Sequence, residues 1–166
     1  MIRTERLLLT PVTADDLDIY VELLTCAETT RYLPGGEPFS LKYIEDYVPK
    51  KVSHWAENGF GTFIVSLVEQ PEIKIGYSGV EILEQVSLCD IRYGLLPKYQ
   101  GHGYAYEAAK ATLDYVFENK LVDEVYGVAV TDNQASLNLL KKLGMTASNA
   151  CLYDSNDLIT MSIKRR

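Results

Sequence analysis

Residues 90–108 read DIRYGLLPKYQGHGYAYEA, and where this stretch changes from strand to helix decides the fold. Its first part closes an apolar, β-rich run, LCDIRYGLL (88–96), and Pro97 ends it. Strand alternation places Asp90 on the face opposite Cys89, Ile91 and Tyr93. Its second part opens a helix over about 103–118. Ala105, Ala108, Ala109, Thr112, Leu113 and Val116 share one face of that helix, and Glu107, Lys110, Asp114 and Glu118 share the other. Gly101 and Gly103 therefore sit at a strand-to-helix junction. Backbone N–H groups there lack intrahelical partners and the helix dipole is positive, so an anion is welcome. Glycines permit close approach and positive φ, and Lys98 can add a charged contact. The bland alternative is a turn that merely joins two elements. The spacing is neither G-x-G-x-x-G nor G-K-[ST], which excludes the Rossmann fingerprint and the P-loop.

A second segment, TDNQASLNLLKKLGM (131–145), follows another strand. Asp132 or Asn133 can cap its helix, over about 133–143. Ser136, Leu139, Leu140 and Leu143 share one face. A serine on an apolar stripe either bonds back to its own helix or has work elsewhere. Working outward, RLLLTPV (6–12) predicts a first strand. Thr13 with Asp16 predicts a helix cap, and Leu17, Tyr20, Val21 and Leu24 an amphipathic helix. YLPGGEPFS (32–40) predicts a loop. A helical region over 40–58 contains Pro49, which predicts a kink or two short helices. Strands are predicted at 61–69, 74–84, 124–130, 145–153 and 157–164. Adjacent strands followed by alternation with helices imply a mixed sheet covered on both faces.

The length suits one domain spanning 1–166. Net charge is -7, against a nucleic-acid partner and compatible with an amine-bearing substrate. Cys26, Cys89 and Cys151 are far apart and only His54 and His102 could join them, so neither a disulfide framework nor a metal site is expected. The N-terminal apolar run is three leucines, too short for a signal peptide or membrane span; a cytoplasmic protein is expected. Cys89 as a hydrolase or thioltransferase nucleophile has no histidine near it in sequence and no nucleophile elbow.

Taken together, RLLLTPVTADDLDIY, KIGYSGV, DIRYGLLPKYQGHGYAYEA and NQASLNLLKKLGM resemble the GNAT superfamily of N-acetyltransferases, nearest the branch of ribosomal-protein N-terminal acetyltransferases. The resemblance covers most of the chain. It implies an α+β fold: a mixed, mostly antiparallel sheet of about six or seven strands, splayed in the middle, with helices on both faces. It implies acetyl-coenzyme A as co-substrate, its pantetheine arm lying between strands 88–96 and 124–130. Backbone groups near Leu95 and Leu96 would bond the pantetheine amides. Lys98, Gln100, Gly101, His102, Gly103, Tyr104 and Ala105 would hold the pyrophosphate, mainly through amides. Asn133 would reach the pantetheine arm and Ser136 the sulfur. The implied reaction is direct attack by a primary amine, of a protein N-terminus or a small molecule, with Asp90 or Glu81 as base and Ser136 protonating the thiolate. The family's helical tyrosine acid is Leu140 here. Arg92 and Gly94 replace a small and a bulky residue, and Gly94 is expected to open room beside the acceptor. A non-catalytic acyl-coenzyme A-binding module is the alternative reading, and a homodimer is one arrangement the resemblance suggests.

Overall fold

The computed structural model describes residues 1–33 and 35–166. The chain opens with β1 (Ile2–Arg3) and β2 (Leu7–Pro11). The Thr13 hydroxyl then accepts the Asp15 N–H at 3.2 Å, and Asp16 Oδ2 accepts the Thr13 N–H at 2.8 Å. This reciprocal cap leads through a 3-10 turn into α1 (Leu17–Leu24), which buries Ile19, Tyr20, Leu23 and Leu24. A short α2 (Ala27–Thr30) precedes the expected loop at 32–40, of which Pro34 lies outside the described residues.

α3 (Leu41–Asn58) runs as one helix, without the break expected at Pro49. Proline leaves the carbonyl four residues earlier, on Glu45, without its N–H partner. Pro49 and Glu45 are both exposed, so water can replace that bond. Ile44 and Val48, on the adjoining face, are buried and hold the helix to the sheet.

The remaining elements are β3 (Thr62–Leu67), β4 (Lys74–Leu83), β5 (Leu88–Leu95), α4 (Tyr104–Glu118), β6 (Glu124–Val130), α5 (Gln134–Lys142), β7 (Thr146–Ala147) and β8 (Leu158–Lys164). The eight strands form one sheet in the order β1-β2-β3-β4-β5-β6-β8-β7. This is the expected mixed, mostly antiparallel sheet, with one strand, β1, more than expected. Every neighbouring pair is antiparallel except β5 and β6, which run parallel and pair at a single register point, Asp90 with Tyr126. The strand expected at 145–153 is only two residues long. SNACLYDSND (148–157) is rich in turn formers and leaves the sheet as a loop, so Cys151 is exposed.

Two helical layers cover the sheet. On one face α4 buries Ala108, Ala109, Leu113 and Val116, and α5 buries Leu137 and Leu140, against Val80, Ile91 and Val125. Ser78 on β4 and Thr112 on α4 share a buried hydrogen bond at 2.9 Å. On the other face α1 and α3 pack against Ile64 and Tyr77. His54 Nε2 accepts the Ile82 N–H at 2.9 Å while Nδ1 bonds the Phe60 carbonyl at 2.9 Å. The imidazole thus serves a β4 backbone group beyond the end of β3.

This second face also holds charge. Lys51 on α3 bonds Glu81 on β4 at 2.7 Å, with the two side chains 3% and 11% exposed. Burial alone would raise the Glu81 carboxyl; the Lys51 ammonium reverses this and holds it below the usual carboxylate value. A lowered folded value means the unfolded state binds more protons in the acid range. The pair's contribution is therefore full above the unfolded value, near 4.5, and is lost as pH falls through the lower folded value. Lys51→Met leaves a buried carboxylate alone and should cost about 3–5 kcal/mol at pH 7 by urea unfolding. Acid should then relieve the variant, because protonating Glu81 removes the buried charge. Wild-type-like stability at pH 7 would show that the pair does not hold α3 to the sheet.

Candidate active site

The site is built around the gap between β5 and β6. The Leu96 N–H bonds the Ile75 carbonyl at 2.9 Å, which fixes the hydrogen-bonding parity of β5. Alternation then turns the N–H and C=O groups of Gly94 and Arg92 toward β4, and those of Tyr93 and Leu95 toward β6. Beyond Asp90 no strand pairs with that second edge. The expectation for Leu95 and Leu96 therefore divides. Leu95 faces the gap, with its carbonyl also accepting Gln100 Nε2 at 3.0 Å. Leu96 does not face it: its N–H is held by Ile75 and its carbonyl accepts the Tyr99 N–H at 2.9 Å.

At the mouth of the gap lies the glycine loop. The Gln100 N–H closes the preceding turn on the Pro97 carbonyl at 3.2 Å, so Gln100 offers no free amide. The following residues do. Gly101 and Gly103 have φ of +80° and +81°, a region L side chains avoid. Gly103 caps α4, whose first intrahelical bond is made by the Glu107 N–H to the Gly103 carbonyl at 3.1 Å. The N–H groups of Tyr104, Ala105 and Tyr106 have no earlier helical carbonyl to bond. His102 and Lys98 are exposed, and the Lys98 ammonium lies 5.6 Å from the Tyr99 ring.

The loop is pinned from the far end of the chain. Arg6 Nη1 donates to the His102 carbonyl at 2.9 Å, its Nε bonds Glu107 at 2.7 Å, and its guanidinium lies 4.5 Å from the Tyr104 ring. Burial would raise the Glu107 carboxyl, but Thr4 and Arg6 bring it below its ordinary value. Sequence spacing offers no signal for these contacts across almost a hundred residues.

On the α4–α5 face, Tyr93 reaches from β5 to α5. Its hydroxyl and Ser136 Oγ share a hydrogen bond at 2.6 Å. Ser136 therefore does not turn its hydroxyl back on its own helix. Burial raises the Tyr93 phenol, with the Ser136 bond offsetting only part of the rise, so Tyr93 stays protonated near neutrality. Asn133 caps α5 by accepting the Ser136 N–H on Oδ1 at 3.2 Å. Its oxygen is occupied in this way and its NH2 group is left to donate elsewhere.

On the α1–α3 face, Asp90 is buried at the last paired point of the gap. Asp90 Oδ2 accepts the Tyr153 hydroxyl at 2.6 Å and Arg92 Nε at 3.3 Å, and Arg92 Nη2 donates to the Tyr153 oxygen at 3.1 Å. Burial raises the Tyr153 phenol and the Asp90 carboxylate raises it further. Tyr153 arrives on the 148–157 loop and was concealed by the expectation of a strand there. Glu81 stands beside Asp90 in register on the same face, held by Lys51. Gly94 does not open the room expected of it. A Cβ there would stand 2.8 Å from Tyr77 Cε1 and 3.1 Å from the Tyr77 hydroxyl oxygen. The Tyr77 ring, from the cross-strand position, lies over the glycine and fills the space.

A sequence profile of the acetyltransferase (GNAT) domain matches residues 6–146. YnaD of Bacillus subtilis, an N-acetyltransferase itself uncharacterized, is 28% identical over 144 residues, 87% of this chain and 81% of its own. An acetyltransferase from Agrobacterium tumefaciens superposes with a TM-score of 0.84 at 23% identity, covering 98% of this chain and 92% of that one. A spermidine N-acetyltransferase from Vibrio cholerae, solved with CoA and spermine, superposes with a TM-score of 0.78 at 19% identity, covering 98% and 97%.

The Tyr77–Gly94 contact is directly testable. Gly94→Ala should destabilise the protein by about 1–3 kcal/mol through overpacking. Adding Tyr77→Leu should cost less in that background than in the wild type. Additive losses in a double-mutant cycle would show that the ring and the glycine are not coupled.

Proposed function

The chain belongs to the acetyltransferase (GNAT) domain family, and on that premise we propose that it transfers the acetyl group of acetyl-coenzyme A to a primary amine by direct attack. The observation that carries this reading is the opened sheet: a strand edge without a partner, leading to a loop of free N–H groups at a helix N-terminus. A pantetheine arm has amides at strand-like positions and ends in a pyrophosphate, so both halves fit. Tyr93 and Leu95 would bond the amides, with Asn133 donating from the other side. Amides from Gly101 to Ala105 would receive the pyrophosphate, with Lys98 and His102 at its edge. The resemblance of RLLLTPVTADDLDIY and the three later segments to the branch of ribosomal-protein N-terminal acetyltransferases supports that placement within the family.

The chemistry then distributes over the two faces. The amine nitrogen attacks the thioester carbonyl carbon, the carbon–sulfur bond breaks as the carbonyl re-forms, and sulfur leaves with the bonding pair. A backbone N–H of β5 facing the gap would stabilise the oxyanion. Asp90, at the apex, takes the proton lost by the amine. Of the two carboxylates it is the stronger candidate, because its Oδ1 has no hydrogen-bond partner among the described residues, whereas Glu81 is engaged by Lys51. Ser136 gives a proton to the departing sulfur, oriented by Tyr93. This strand tyrosine, bonded to the serine, stands in for the helical tyrosine that Leu140 replaces.

Calorimetry should show acetyl-coenzyme A binding, and free-thiol detection across a panel of amines should show turnover. Folded protein that binds no acetyl-coenzyme A would sink the proposal; binding without turnover of any amine would leave only a binding module. Gly101→Val, strained at positive φ, should weaken coenzyme binding about tenfold while circular dichroism shows the fold intact. Unchanged affinity would misplace the loop. Ser136→Ala should lower kcat by about a hundredfold with the calorimetric Kd for acetyl-coenzyme A nearly unchanged. Equal losses in both would make Ser136 a binding group instead.

A further inference from the structure

Asp90 and Arg92 stand two residues apart on one face of β5, their charged ends 3.3 Å from each other. Each is only partly satisfied. Asp90 Oδ2 has two donors, but Oδ1 is buried with no hydrogen-bond partner among the described residues. Arg92 commits Nε to Asp90 and Nη2 to Tyr153, while Nη1 bonds no protein group among the described residues. A guanidinium has five N–H donors in a planar fork suited to a carboxylate. The Arg92 side chain is 31% exposed and so within reach of a ligand. The next residue on this face is Gly94, covered by the Tyr77 ring, on which Tyr20 stacks at 5.4 Å. The face thus offers an open anion valence, an open cation valence beside it, and the edge of the largely buried Tyr77 ring.

We propose that the acceptor is a free α-amino acid, its carboxylate bound by Arg92 and its amine delivered to Asp90. The inference rests on the acetyl-transfer reading and deepens it. An α-amino acid carries opposite charges on one carbon, matching the juxtaposed guanidinium and carboxylate. Its amine N–H supplies the donor that Asp90 Oδ1 lacks, and an apolar side chain suits the Tyr77 ring edge. A peptide N-terminus presents a neutral amide where Arg92 needs an anion. A polyamine brings several cations to a face whose two carboxylates, Asp90 and Glu81, are already paired with Arg92 and Lys51, and brings no anion for Arg92. In the reaction the amine gives its proton to Asp90 and its lone pair to the acetyl carbon. The product keeps its carboxylate but has lost the cation that Asp90 attracted, which favours its release.

The test is steady-state thiol release by the full chain with acetyl-coenzyme A. The acceptors are L-phenylalanine, L-methionine, phenylalaninamide, a Phe-Ala dipeptide and spermidine. One or both free amino acids should exceed amide, dipeptide and spermidine in kcat/KM by about tenfold or more, because the others bring no carboxylate at the position where Arg92 would bind it. Arg92→Gln should raise KM for the amino acid about tenfold more than it raises KM for the amide. The wild-type comparison decides the matter even if that variant fails to fold. Equal or better turnover of the amide, dipeptide or spermidine overturns the inference, as does an Arg92→Gln loss equal for all acceptors. Binding of acetyl-coenzyme A with no amino-acid turnover overturns the acceptor alone; no acetyl-coenzyme A binding overturns the acetyl-transfer reading itself.

Discussion

The structure depends on a pairing that stops. β5 and β6 meet at Asp90 and Tyr126 and nowhere else, so backbone groups in the middle of an eight-stranded sheet have no strand to bond. An unpaired buried backbone group costs about 1–3 kcal/mol, so such a gap must admit water or a ligand that mimics a strand. That requirement explains the surroundings. The mouth has free amides on a glycine loop, the α5 cap lies on one side, and a buried carboxylate marks the apex. Addition of a strand-like ligand to an open edge is a general mode of recognition. Here the edge lies inside the sheet instead of at its border, where it would invite aggregation.

The gap can stay open because each strand is secured on its other edge. β5 pairs along its length with β4, and β6 along its length with β8. The core beneath remains continuous: Ile91 of β5 and Val125 and Ala129 of β6 belong to one apolar cluster with α4 and α5. Tyr93 adds a polar strut from β5 to Ser136. Opening is thus confined to the hydrogen-bonding plane, while packing above and below is kept. Arg6 has a similar role at the mouth, holding the loop through the His102 carbonyl without using the amides.

Much of this was legible in the sequence because it is local. The strand-to-helix junction at 97–103, the alanine face of α4, the Thr13 and Asn133 caps and the single strand from 124 to 130 follow from periodicity, punctuation and cap chemistry. What was hidden depends on residues distant in sequence or on exposure. Pro49 predicts a break only if its helix cannot hand a carbonyl to water. Gly94 reads as space until a tyrosine from the next strand lies over it. Tyr153 reads as strand until the turn formers around it lift the segment off the sheet and bring its hydroxyl to Asp90. Among the candidate site residues, Gly101, Gly103 and Leu95 depend on local chain geometry that the sequence carries, whereas the state of Asp90, Glu81 and Ser136 depends on side-chain partners distant in sequence.

The two faces of β5 differ in a way that stability does not explain. One face carries Ile91 and Leu95 into apolar clusters. The other carries Asp90 and Arg92, beside Glu81 and Lys51, into a layer of tyrosines. Replacing buried ion pairs by apolar groups of similar volume is often neutral or stabilising, so a fold selected for stability alone has no need of them. Among the described residues, the buried side-chain polar atoms without a partner are Tyr20 Oη and Asp90 Oδ1, and both belong to this face. Local rules broken together in one place, and kept elsewhere, mark function more often than accident. The charged face at the apex of the gap is therefore where we propose that the acceptor's chemistry is read, and the apolar face is where the sheet is held together.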